Sequence, residues 1–121
     1  MTYDPLSEVL DEPLNIDAAT IKELIVFRAA TKLQNLPGLD TLVERNRLTK
    51  VLNDLIDALV AGVQQNPTKL WVMAQFQKSL QLVEQEDTEA REHFGTEVEN
   101  IMDILCIESS DGLLSCYLGG M

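Results

Sequence analysis

The side chains able to do chemistry gather in the last third of the chain. His93 is the single histidine, with Glu89 and Glu97 four residues to either side. At that spacing one helix could offer an imidazole and two carboxylates to a metal ion. On a helical wheel the three drift off one line, Glu97 flanking the apolar stripe and Glu89 pointing away from it. They therefore read as a solvated helix face rather than a metal site. A di-metal carboxylate bundle would need Glu-x-x-His pairs aimed inward from two helices, and the sequence has none. Farther on, Ser109, Ser110 and Ser115 lie near Glu108 and Asp111, side chains of the kinds used in nucleophilic catalysis. The histidine is far upstream of these serines, and no Gly-x-Ser-x-Gly turn raises any of them as a nucleophile. Their hydroxyls are better suited to capping backbone amides. Gly-rich phosphate loops and dinucleotide fingerprints are missing as well. The expectation is no catalytic residue, no metal and no cofactor. A pocket lined by Glu108 and Asp111 beneath the terminal helix is where an enzymatic or small-ligand function would sit.

Those residues need a helix, a corner and a second helix to position them. Ala90, Phe94, Val98, Ile101, Met102 and Leu105 form one apolar stripe, while Glu92, Glu99 and Asp103 turn to water. Ser109, Ser110, Asp111 and Gly112 then favour turns and caps. Leu113, Leu114, Tyr117 and Leu118 follow at helical spacing, with Ser109 or Ser110 as N-cap. The spacing predicts a helix over 87–106, a tight corner, and a short helix over 109–118 folding back as a lid.

The run IMDILCIESSDGLLSCYLGG resembles the ending of an uncharacterised family of small bacterial all-helical proteins, a domain of unknown function. In that family an acidic helix runs into an Ile-Glu-Ser-Ser-Asp-Gly-Leu-Leu segment. The resemblance carries no activity, cofactor or partner with it. It implies Gly, the usual left-handed helix terminator, where this chain has Cys106. A Cβ in that conformation is costly, so the expectation here is a plain helical continuation to Ile107.

Upstream, Asp4 before Pro5 starts a short helix lined by Leu6, Val9 and Leu10 within an arm over 1–16. The first long helix, 17–35, can be capped by Asp17 or by the Thr20 and Glu23 box. Ala18, Ile21, Ile25, Ala29, Leu33 and Leu36 form one side, with Leu24 and Phe27 on a flank. A helix so broadly apolar is expected to be covered on two sides, at the centre of the molecule. Arg28 lies between the two sectors and needs a carboxylate or a route to water. Pro37 and Gly38 break the chain. Over 40–64, Leu48, Val51, Leu52, Leu55, Ile56, Leu59 and Val63 share one sector. Asn66 as N-cap and Pro67 in first position open a helix over 67–84, with Val72, Met73, Phe76, Leu80 and Val83 inward. Trp71 and Leu82 fall outside that stripe. Either the N-terminal segment around Leu6, Val9, Leu10 and Leu14 packs over them, or they form a contact patch. Asp87, closing an acidic connection, can cap the last long helix.

These elements make an all-α fold, a single domain of four main helices with a short helix at each end. The length of 121 residues and hydrophobic share of 45% suit one self-sufficient core. Twenty acidic against nine basic residues give a formal charge of −11. That charge repels phosphate backbones and anionic lipid heads, which argues against nucleic-acid and membrane partners. The N-terminus lacks the marks of a secretory signal and the apolar runs are too short to span a bilayer, so a cytoplasmic setting is expected. There, Cys106 and Cys116 are expected as thiols packed as small apolar groups. The functional expectation is a non-enzymatic, acidic protein-binding module, of the kind that serves as an immunity or antitoxin protein against a basic partner. Its candidate interface or motif residues are Trp71, Leu82, Glu108, Ser109, Ser110, Asp111 and Gly112. The alternatives are a ligand site or enzyme at Glu108 and Asp111, and a module that self-associates through Trp71 and Leu82.

Overall fold

Asp4 and Asp17 start the first two elements as their sequence context dictates. In the computed structural model, which describes residues 4–30, 32–33 and 42–118, Asp4 Oδ1 accepts from the Leu6 amide at 3.0 Å. Pro5 occupies the first turn behind it, and the element is a single 3-10 turn, Pro5–Glu8. Asp17 Oδ1 accepts from the Thr20 amide at 2.9 Å and opens α1, Ala18–Ala29. Then come α2, Leu42–Gly62, α3, Lys69–Val83, α4, Thr88–Ile104, and α5, Leu113–Leu118. The fold is all-α; among the described residues the one β feature is an isolated bridge between Pro13 and Thr68.

α2, α3 and α4 bury the stripes that their periodicity marks out. Leu52, Ile56 and Leu59 of α2 face Met73, Phe76 and Leu80 of α3, and Phe94, Val98 and Ile101 of α4 close the same core. From below, α5 adds Leu113, Leu114 and Leu118, and packs against α3 and α4.

α1 departs from expectation. It ends at Ala29, well short of Asn35, because Ala30 turns extended and Lys32 folds back over the end. The Lys32 ammonium donates to the carbonyls of Phe27, Arg28 and Ala30 at 2.9, 2.8 and 2.7 Å. A cation on the last carbonyls satisfies them and suits the negative end of the helix dipole. Leu36, assigned above to this helix, lies outside the described residues. Nor is α1 central: Leu24 is its one fully buried residue, while Ile25 and Val26 are 52% and 61% exposed. Arg28 finds the carboxylate it needs in Asp57, through two hydrogen bonds of 2.6 and 3.1 Å, with both side chains about half in water.

The α2–α3 corner also differs. Asn66 closes α2 rather than opening α3, its amide and side-chain Nδ2 both donating to the Gly62 carbonyl at 3.0 Å. Thr68 is the N-cap, accepting from the Trp71 amide at 3.3 Å. Two further amides at the start of α3 are capped from the N-terminal arm, Lys69 by the Glu12 carbonyl at 2.9 Å and Leu70 by Asp11 Oδ1 at 2.9 Å. An isolated helix leaves those donors unpaired. The arm therefore runs along the Lys69 and Gln77 side of α3, half a turn away from Trp71. Trp71 is covered by α2 instead: a Cβ on Gly62 would stand 2.6 Å from its ring, so only glycine admits the indole there. Leu82 remains 68% exposed, on the rim of a shallow groove between α2 and α3.

Candidate functional site

The corner between α4 and α5 gathers most of the residues singled out above. Its first feature is the end of α4. Cys106 stands at φ +59°, with its amide donating to Asp103 O at 3.1 Å and the Ile107 amide to Met102 O at 2.9 Å. This pair of bonds is the Schellman closure. The expected helical continuation to Ile107 does not occur. Ile107 and Met102 are both buried, the apolar contact that accompanies such closures, and this burial offsets the cost of a Cβ in the left-handed region. The Cys106 side chain is exposed, as is Cys116, so neither thiol fills the core.

Beyond it the motif residues cap one another. Ser109 Oγ accepts from the Asp111 amide at 3.0 Å, and Ser110 Oγ from the Leu114 amide at 3.3 Å; α5 begins at Leu113 rather than 109, so Ser110 reaches its first turn from two residues ahead of Gly112, the N-cap position, which neither expected serine occupies. Asp111 and Gly112 are consecutive left-handed residues, at φ +54° and +90°. No atom lies within 4 Å of where a Gly112 Cβ would be, so the glycine is required by conformation and not by space.

Asp111 is tied to two distant segments. Its Oδ2 accepts from Lys69 Nζ at 2.7 Å and from the Leu10 amide at 2.9 Å. The Lys69 ammonium, and after it the Leu10 amide, hold the Asp111 carboxyl below the usual carboxylate range. Lys69 is only 5% exposed although it sits in the first turn of α3. Tyr117 adds a second tie, its hydroxyl accepting from Gln77 Nε2 at 3.1 Å, while Gln77 also donates to Asp4 Oδ1 at 3.1 Å. Arm, α3, corner and α5 thus form one connected unit.

Two clefts flank Glu108 and Ser109. One, of about 370 Å³, is bordered by Glu99, Asp103 and Glu108 with the hydroxyls of Ser109, Ser110 and Ser115, and no basic residue lines it. The other, of about 460 Å³, lies between Lys69, Asp111, Glu12 and Cys106. Glu108 is exposed and makes no hydrogen bond to a described residue. Its freedom contrasts with Asp111, whose charge is already neutralised by Lys69. A neutralised, multiply bonded carboxylate is a poor general base. His93 and Glu89 stay on the outer part of α4, and Glu97 accepts from Asn100 at 3.0 Å. Among the described residues no three His, Cys, Asp or Glu side chains converge as a metal site would require.

Of the expected site residues, the structure brings Glu108, Ser109, Ser110, Asp111 and Gly112 together and leaves Trp71 and Leu82 elsewhere on α3. Lys69, Asp11 and Tyr117 are the partners that the sequence reading missed. Lys69 did carry a signal: it precedes Met73 and Phe76 at helical spacing, on the core stripe, and a cation in a first turn opposes the helix dipole. Such a lysine needs an acid brought to it.

Fold and corner together define a small all-helical protein with an acidic, cross-braced end. The chain belongs to the family described as a domain of unknown function, DUF4844, whose model matches residues 15–121. Residues 4–14 of the arm that Asp111 and α3 hold lie ahead of that match. Neither a curated protein nor a solved structure matches the chain.

Proposed function

We propose that this protein is a non-enzymatic binding module whose acidic end engages a basic protein surface, in the manner of a bacterial immunity or antitoxin protein acting in the cytoplasm. The observation that carries this reading is the segregation of charge. The arm, the α3–α4 connection, α4 and the corner hold fifteen of the twenty acidic residues and one of the nine basic ones, Arg91. Residues 18–83 carry the other eight basic residues against five acidic. At the corner Glu99, Asp103 and Glu108 border a cleft that no basic residue lines, while Glu84, Glu86, Asp87 and Glu89 extend the acidic surface to the other end of α4. A one-signed field of that kind steers an oppositely charged partner and repels phosphates and anionic lipids. No helix among the described residues is long and apolar enough to cross a membrane.

The test is affinity capture from the source cell with the wild-type chain and with Glu99, Asp103 and Glu108 all changed to Lys. A basic protein retained by the first should associate about tenfold or more slowly with the second, with a rate that falls as salt is raised. Salt-independent association, or a partner indifferent to the triple change, counts against the proposal. A small-ligand site is the second reading, supported by the cleft between Glu108 and Lys69. It requires Glu108→Ala to abolish ligand binding at unchanged thermal stability.

A further inference from the structure

We infer that the surface beneath the N-terminal arm is a docking groove for an extended acidic segment, and that residues 4–14 are a detachable strap which fills it in the resting chain. The strap is held as a bound peptide is held. Its Leu10 amide donates to Asp111 Oδ2 at 2.9 Å, its Glu12 carbonyl accepts from the Lys69 amide at 2.9 Å, and its Leu14 amide donates to the Pro67 carbonyl at 2.7 Å. In an extended backbone alternate residues turn the same edge. Positions 10, 12 and 14 therefore present one edge to the corner and to the start of α3, as a strand added to a receptor does. The bridge between Pro13 and Thr68 marks the same pairing. Side chains supply the remaining anchors: Asp11 Oδ1 accepts from the Leu70 amide and Asp4 Oδ1 from Gln77 Nε2.

Burial makes the strap separable. Of residues 4–14, Pro5 and Val9 are buried, Leu6 and Leu14 are half-buried, and the other seven are exposed. A segment with so little buried apolar surface opens at low free energy. The seat, by contrast, belongs wholly to the body. Pro67, Lys69, Leu70, Gln77 and Asp111 all lie within residues 15–121, the stretch that the family model matches, whereas the strap lies ahead of it. Charge selects the occupant. The strap carries Asp4, Glu8, Asp11 and Glu12 and no basic residue, while residues 18–83, which build the α3 side of the seat, hold eight basic against five acidic. With the strap lifted, the Lys69 and Leu70 amides would stand unpaired at the positive end of α3, beside the Lys69 ammonium. An acidic segment is the chemistry that satisfies them. The groove is distinct from the cleft bordered by Glu99 and Asp103, and it takes a ligand of the opposite charge.

The test is fluorescence anisotropy of a dye-labelled peptide copying residues 4–16, titrated with the full chain, alongside circular dichroism melts that show each variant folded. In the wild type the strap competes at the effective concentration of a tethered segment, and the peptide should bind weakly. Val9→Asp in the chain sets a charge where the strap is buried, ejects it, and should tighten peptide binding about tenfold or more. Asp11→Ala, at an exposed position that leaves the core untouched, should tighten it about threefold by removing the bond to Leu70. A peptide that itself carries Val9→Asp, and one with all its acids changed to Lys, should fail to bind the Val9→Asp chain. The inference is overturned if neither variant chain takes up the peptide better than wild type, or if either altered peptide binds as well as the natural one.

Discussion

At the α4–α5 corner, segments separated by as many as 101 residues exchange hydrogen bonds: Leu10 with Asp111, Asp111 with Lys69, Lys69 with Glu12. Along α1, among the described residues, the long-range polar contact is one half-exposed ion pair, Arg28 with Asp57, and a single leucine is buried to completion. The corner spends Asp111 and the hydroxyls of Ser109 and Ser110 on the fold and leaves the carboxylates of Glu99, Asp103 and Glu108 to solvent. α1 leaves apolar surface spare instead. A region whose hydrogen bonds are used internally meets partners through residual charge, and a region whose apolar area is unused meets them by burying it. The acidic end and α1 therefore differ in what they leave exposed to solvent: charge at the one, apolar side chains at the other.

That contrast can be tested by perturbing each region in turn. The largest effect should come from Lys69→Met, which keeps much of the side-chain volume but removes the cation from the corner. We expect a loss of about 2 kcal/mol in denaturant unfolding, since hydrogen bonds to charged groups are the stronger ones and their broken partners stay desolvated. Acid titration should expose the same tie. Because the folded carboxyl of Asp111 is depressed, its contribution is complete at neutral pH and is lost as pH falls through that lowered value. The wild type should accordingly show an acid limb of instability that Asp111→Asn flattens.

Cys106→Gly is expected to act in the opposite direction by a smaller amount. It relieves the Cβ at a left-handed position and should raise stability by up to about 1 kcal/mol, less what glycine adds to the freedom of the unfolded chain. A loss of stability instead would mean that the closure of α4 is not strained by its cysteine. The smallest effect belongs to α1. Val26→Ala should change unfolding stability by no more than about 0.5 kcal/mol, because its side chain is 61% exposed. A larger loss would show that this face is covered within the monomer, and the comparison with the corner would fail.

Much of this architecture is legible in the chain. The stripes of α2, α3 and α4 state their buried faces because each has enough periodic apolar positions to leave one solution. Asp4, Asp17 and Asp87 state helix starts, since a cap bonds to an amide two or three residues away. Departures appear where a competing hydrogen-bond partner takes over a helix end, whether from a few residues on or from a distant segment. The broad apolar pattern of α1 points to the centre of the molecule, yet Lys32 ends the helix at Ala29 and leaves Ile25 and Val26 outside. Asn66 is the cap that the Asn-Pro pair suggests, but docking of the arm at Pro67 to Leu70 makes Thr68 the cap instead.

For this protein, then, local order alone settled the all-helical character, the main inward faces and the acid-rich ends, because helical period and charge are properties of neighbouring residues. Which side chains meet at the corner was left to the tertiary structure. The bond from Lys69 to Asp111 spans 42 positions, and the gap that admits Trp71 is set by the approach of α2 to α3. Contacts of that range exist only after the core has closed, when burial makes an unpaired ammonium or a misplaced Cβ too costly to keep.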